Sequence, residues 1–256
     1  MTVDLAADVR RTYVLRLADD LLINSQRLAE FVTNGPELEE ELAIANVSLY
    51  NLGVAHALYD YAAELGDDGP TADDLAFLRD ERAFVNCLLV EQPHRDFADV
   101  MVRQLFLDAW HLVLWPALES SSTDQRIAAV AAKAAKEARY HFRHSSSWVI
   151  RLGDGTPESR RRAQRAVDGL WRFAGELLQT DGLEKSAAAA GVGVSPEDLA
   201  EAWRHEVQTV LDDATLRVPD DPFVAAGGRH GRHTEHLGHL LAEMQYMQRA
   251  YPGMQW

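Results

Sequence analysis

One cysteine among 256 residues, Cys87, leaves no partner for an intramolecular disulfide, so the chain must rely on its core and fits a reducing compartment. Cations are scarce too: 25 Lys and Arg against 40 Asp and Glu give a formal net charge of −15. A surface this acidic repels phosphate backbones and anionic lipid, which argues against a nucleic-acid or membrane-surface role. No apolar run approaches the roughly 18 residues that a membrane span needs. The N-terminal apolar residues are interrupted by Asp4, Asp8, Arg10, Arg11, Arg16 and Asp19, unlike a signal peptide. These absences predict a cytoplasmic protein. A glycine-rich phosphate loop, a Gly-x-Ser-x-Gly elbow and alternating strand patterns are also missing.

What is present is helical periodicity over most of the chain. Four long segments, Val9–Val32, Glu37–Leu65, Asp96–Glu119 and Asp124–Leu152, would each be about 36 to 44 Å long as helices. Asn34-Gly35-Pro36 and Ser120–Thr123 are short turns that make two antiparallel hairpins. Pro116 should kink or end the third helix. Thr71 caps a further segment running toward Gln92 and Pro93. Later helices are expected over Ser159–Thr180, from Ser195 to about Leu216, and from Thr234 to Tyr251. The predicted fold is all-α: one ferritin-like domain, 1–256, with a four-helix core over about 9–152 and a helical extension over about 156–256. The insert between the second and third helices resembles the crossover of ferritin-like bundles.

Such bundles can hold two metal ions through a lone carboxylate on each of two helices and a Glu-x-x-His on each of the others. Gln104, Asp108 and His111 share a narrow sector of the third helix, and Glu137, His141 and His144 repeat that spacing on the fourth. The ligand pattern is nevertheless broken. His56 is preceded at the required distance by Gly53, and His141 by Ala138, with Glu137 one residue too early. The first helix offers Asn24, Ser25 and Arg27 but no carboxylate from Leu21 to Ala29. Glu91-x-x-His94 is interrupted by Pro93. At best two of about six ligands are present. The expectation is a core polar network of Gln104, Asp108, His111, Glu137 and His141, its acids paired with Arg139, Arg143 or histidine because unpaired buried charges are costly.

His230, His233, His236 and His239 recur every third residue and drift around a helix axis, which favours a surface or partner-facing cluster over a zinc site. Arg160, Arg161, Arg162 and Arg165 form the one strongly basic patch, either a solvated face or a contact for the phosphates of a nucleotide-bearing ligand.

Several runs resemble the ferritin-like, non-catalytic subunit of the phenylacetyl-CoA epoxidase (phenylacetate-CoA oxygenase) family. They are Ala76–Pro93 (Ala-Phe-Leu-Arg-Asp-Glu-Arg-Ala-Phe-Val-Asn-Cys-Leu-Leu-Val-Glu-Gln-Pro), Asp96-Phe-Ala-Asp, Asp108-Ala-Trp-His and Lys136-Glu-Ala-Arg-Tyr-His. Leu170-Trp-Arg-Phe, Thr234–Gln248 and the closing Pro252-Gly-Met-Gln-Trp continue the likeness. The resemblance implies a bacterial multicomponent oxygenase of phenylacetate degradation that epoxidises the ring of phenylacetyl-CoA. It uses O₂ and NADPH electrons delivered by a separate reductase. It further implies that the di-iron centre lies in a homologous catalytic subunit and that this chain, binding no cofactor itself, pairs with and stabilises that subunit. Asp108 and His141 would then be remnants of a metal site. Leu237, Leu241, Met244, Met247, Tyr251 and Trp256 at the C-terminal end are candidates for the partner interface. The alternatives are a di-iron enzyme active on its own and a CoA-thioester-binding scaffold.

Overall fold

The computed structural model describes residues 5–66, 69–220 and 223–254. Ten α-helices and no strand occur among them: α1 Leu5–Phe31, α2 Leu38–Glu64, α3 Ala72–Phe77, α4 Phe97–Ser121, α5 Gln125–Gly153, α6 Pro157–Ala174, α7 Gly182–Ala189, α8 Pro196–Asp213, α9 Glu235–Met244 and α10 Tyr246–Ala250. The fold is therefore all-α, and two long helical hairpins joined by a crossover are the parts of a ferritin-like architecture. Contacts divide the chain into two compact units, Met1–Pro93 with Ala226–Trp256, and His94–Ala225.

In the first unit α1 packs along α2. Ser25 and Ser48 donate to each other's carbonyls at 2.8 and 2.9 Å, which their small side chains permit. Around them α1 buries Val14, Leu21 and Leu28, and α2 buries Ile44, Val54 and Leu58. α1 ends at Phe31, and Thr33 just beyond it takes the left-handed conformation (φ 86°). Thr71 caps α3 through a reciprocal bond with Asp74, but α3 ends after six residues. Residues 84–92 are buried, apart from a half-buried Val85, yet not helical; side chains from elsewhere in the unit take up several of their backbone groups. The helix expected from Thr234 to Tyr251 breaks at Gln245, whose amide is buried and donates to the carbonyls of Ala76 and Arg79 at 3.1 and 3.0 Å.

The second unit is built on α4, whose residues from Ala98 to Trp110 are all buried. Asp96 caps α4 by accepting from the Ala98 and Asp99 N–H groups. Pro116 does not end the helix, which runs on to Ser121. It lies in the last turns, where the hydroxyls of Ser120 and Ser121 cap the terminal carbonyls of residues 116 and 117. α5 turns a seam of small residues, Ala131, Ala134, Ala138 and Ser145, inward and so lies close along α4. α6 and α8 cover the remaining faces of this hairpin. Trp203 on α8 donates its indole N–H to Phe106 O at 2.9 Å, and its ring centroid lies 6.0 Å from that of Phe106 and 5.9 Å from that of Trp171. No described helix is long and apolar enough to cross a membrane.

Candidate functional site

The polar stripe of α4 and α5 is assembled in part. Gln104 and Asp108 on α4 and His141 on α5 are buried, and His111 is half-buried with its ring stacked 5.5 Å from Trp115. Glu137 is not among them. It is exposed on α5, as is Arg139, because the inward seam falls on Ala134, Ala138 and His141. The expected pairing of Asp108 with arginine is thus corrected: no cation reaches this carboxyl among the described residues, and Ser145 is its partner. Burial pushes the Asp108 pKa up from 3.8 to about 7, against the opposing pull of the Ser145 hydrogen bond. Burial, with the neighbouring His141, holds His111 down at about 3. Burial, with His144, holds His141 down at about 4. Each shift disfavours the charged form, and Gln104 Oε1 has no hydrogen-bond partner.

This donor set does not fit a pair of metal ions. Asp108 is the one buried carboxylate beside His111 and His141, and no described cluster of three or more His, Cys, Asp or Glu could hold a metal. The side chain of His56 is 63% exposed and pairs with Asp60 at 3.1 Å, and the buried face of α2 carries Ser48, Asn51, Val54 and Ala55 in its place. Two metals would need bridging carboxylates that these helices lack.

The first unit contains a larger polar cluster that sequence spacing does not reveal. Asp19 Oδ1 accepts from the Tyr59 hydroxyl and the Arg79 guanidinium, both at 2.5 Å, and Oδ2 accepts from Arg79 at 3.1 Å and Val85 N–H at 2.8 Å. Arg79 also donates to Ala83 O at 2.9 Å and lies 4.1 Å over the Phe84 ring. One residue on, Asp20 accepts from Cys87 N–H at 2.7 Å and from both amino groups of Arg229 at 3.0 and 2.7 Å. Burial nevertheless raises the Asp20 pKa, overcoming Arg229 and the Cys87 bond. Arg27 donates to Glu91 O and His236 O, each at 3.0 Å. The Glu91 carboxylate accepts from Thr234 N–H at 2.9 Å and meets His233 Nδ1 at 3.2 Å.

These bonds hold 84–92 in its buried, non-helical path. Gly228 belongs to the same construction, since a Cβ there would collide with the Asn86 carbonyl. The signal that could have exposed the cluster is the charge pattern of α1. Arg16, Asp20 and Arg27 recur at helical spacing inside a largely apolar helix, and a charge there must find a buried partner.

The remaining candidates are distributed through both units. His233 is not part of a surface cluster: its side chain is enclosed, and Nδ1 faces Glu91 while Nε2 faces Phe84 O at 2.9 Å. Both partners are acceptors, so the doubly protonated ring satisfies both. Burial opposes that charge, but the bonds to Glu91 and Phe84 O outweigh it and the pKa rises. Each arginine of the basic patch is engaged within the chain: Arg160 with Thr215 O at 2.7 Å, Arg161 and Arg162 with Glu158 at 2.7 Å, and Arg165 with Asp96 at 2.8 Å. Leu237 and Leu241 are buried in their own unit, where α9 packs against α1, so they are not partner-facing. Met244 is half-buried, Met247 and Tyr251 are exposed at 42% and 50%, and Trp256 lies outside the described residues.

Residues 3–256 match the family described as phenylacetic acid catabolic protein. The chain belongs to that family. One relative, a subunit of the 1,2-phenylacetyl-CoA epoxidase of Escherichia coli (strain K12), is 50% identical over 244 residues, which are 95% of this chain and 98% of that protein. The run 76–93 contains the stretch held by Asp19, Asp20, Arg27 and Glu91, so in this member of the family some of the most recognisable residues build the buried cluster.

Each cluster has a signature in stability. Asp108 holds its proton more tightly folded than unfolded, so its contribution to stability is present at low pH and is lost as pH rises from about 4 to about 7, costing about 4 kcal/mol. His111 and His141 act in the opposite sense, costing stability as pH falls below about 6.5. Asp108→Asn should therefore stabilise the chain at pH 8 and leave it nearly unchanged near pH 4, by denaturant unfolding at both; an equal effect at the two pH values would contradict the assignment. Asp19→Ala and Arg79→Ala should each cost about 3–5 kcal/mol by leaving the other charge buried alone. The double variant should cost clearly less than the sum, and strict additivity in urea unfolding would show that the pair is not coupled.

Proposed function

We propose that this chain is a structural, metal-free subunit of a multicomponent oxygenase that epoxidises the ring of phenylacetyl-CoA. In this reading it pairs with a homologous di-iron subunit, stabilises it, and leaves NADPH oxidation to a separate reductase. The observation that carries the proposal is the setting of Asp108: a lone buried carboxyl, its pKa pushed up to about 7, beside two imidazoles held low, with no second buried acid beside it among the described residues to bridge metals. The likeness to an epoxidase subunit supplies the reaction and the kind of assembly. The buried ion-pair lattice of the first unit supports a scaffolding role, because it rigidifies the chain and its groups are taken up by one another. The proposal keeps 1–256 as one domain of a cytoplasmic protein, with Met247 and Tyr251 at the C-terminal end as partner contacts.

In the assembled oxygenase, Asp108→Ala and His141→Ala should leave iron content and turnover within about twofold of wild type, since a catalytic ligand would cost far more. A loss of tenfold or more in both would assign the chemistry to this chain. Met247→Glu combined with Tyr251→Glu should weaken co-purification of the catalytic subunit while this chain stays folded; undiminished pairing would remove the C-terminal end from the interface.

A further inference from the structure

α2 carries an apolar stripe that nothing among the described residues of its own unit covers. Leu38, Leu42, Leu49 and Leu52 are 65%, 56%, 66% and 39% exposed, while Ile44, Val47, Val54 and Leu58 of the same helix are buried. With half-buried Ala45 filling the middle, the stripe runs 38, 42, 45, 49, 52. That is the alternating four-and-three spacing with which one helix meets another side by side. From Leu38 to Leu52 it extends about 21 Å. Scattered exposed leucines are ordinary on a soluble surface, but a continuous seam of them is not.

Two further observations identify what lies on it. Gly53 stands beside this face, and a Cβ built there meets nothing within 4 Å. A mid-helix glycine is less stable than alanine, and no described neighbour in this chain requires it. A backbone arriving from outside would. The charge of α2 then selects the visitor: it contains Glu39, Glu40, Glu41, Asp60 and Glu64 and neither Lys nor Arg. A second copy would set this acidic helix against itself, whereas a helix flanked by Lys or Arg would be drawn to it.

We propose that the Leu38–Leu52 face of α2, with Gly53 at the point of closest approach, is the docking site for a helix of a different chain that bears a matching leucine-type stripe and basic flanks. This rests on the reading of the chain as an oxygenase subunit and adds a second surface through which it pairs. The seam is separate from the C-terminal contacts and from every buried cluster described above.

The test compares wild type, Leu42→Glu/Leu49→Glu and Gly53→Ala, each as the isolated full chain and co-expressed with the other subunits of the oxygenase. The double variant should keep the Tm of the isolated chain and weaken association by about 30-fold or more, as loss of an interface centre does. Gly53→Ala should raise the Tm of the isolated chain by roughly 2 °C and yet weaken association, a combination that damage to the fold does not produce. Wild-type affinity in both variants would overturn the docking face and leave the subunit reading intact. Failure of wild type to pair with any subunit would overturn both. A self-dimer of wild type that the glutamates dissolve would make a second copy the occupant, against the proposal.

Discussion

Asp19 lies at zero exposure on a helix in the middle of an apolar core, and its two oxygens accept four hydrogen bonds from Tyr59, Arg79 and Val85. An isolated charge could not remain there. Satisfied in this way, it decides the path of a long stretch of chain. Arg79 closes the end of α3, Val85 starts the buried segment, and the neighbouring Asp20 holds Cys87 and draws in Arg229 from far along the sequence. The crossover after α3 is thereby fixed by side chains of α1 rather than by backbone ladders of its own.

The polar residues of α4 and α5 answer the same physical demand in the opposite way. Where α1 meets countercharges, burial dominates at Asp108, His111 and His141, and these groups give up charge: Asp108 is pushed toward the protonated form and the histidines toward the neutral one. A metal centre needs the reverse, several ionised carboxylates facing one another around a cation. The two clusters together describe a chain whose ionised buried groups serve its own architecture.

Periodicity and capping made the long helices legible. Asp96 and Asp124 start α4 and α5 as their sequence contexts indicate, and the four long helices lie within a few residues of the expected bounds. Periodicity also misled where long-range bonds took over. The stretch 84–92 has helix-forming residues but follows Asp19, Asp20 and Arg27, and the final helix breaks where Gln245 turns inward. α5 turns Glu137 outward for a local reason. Its inward seam is marked by alanines, which a search for polar stripes passes over. The α1 charges are plain in the sequence, but their partners lie about 40 to 210 residues away, and single-sequence spacing cannot pair residues at that distance.

The most direct measurement is iron analysis of this chain purified alone after anaerobic incubation with Fe²⁺. A lone Asp108 with no bridging carboxylate beside it predicts less than about a tenth of an iron per chain. Close to about two irons per chain would contradict the metal-free reading, because it would require the missing ligands to come from residues that this fold places elsewhere.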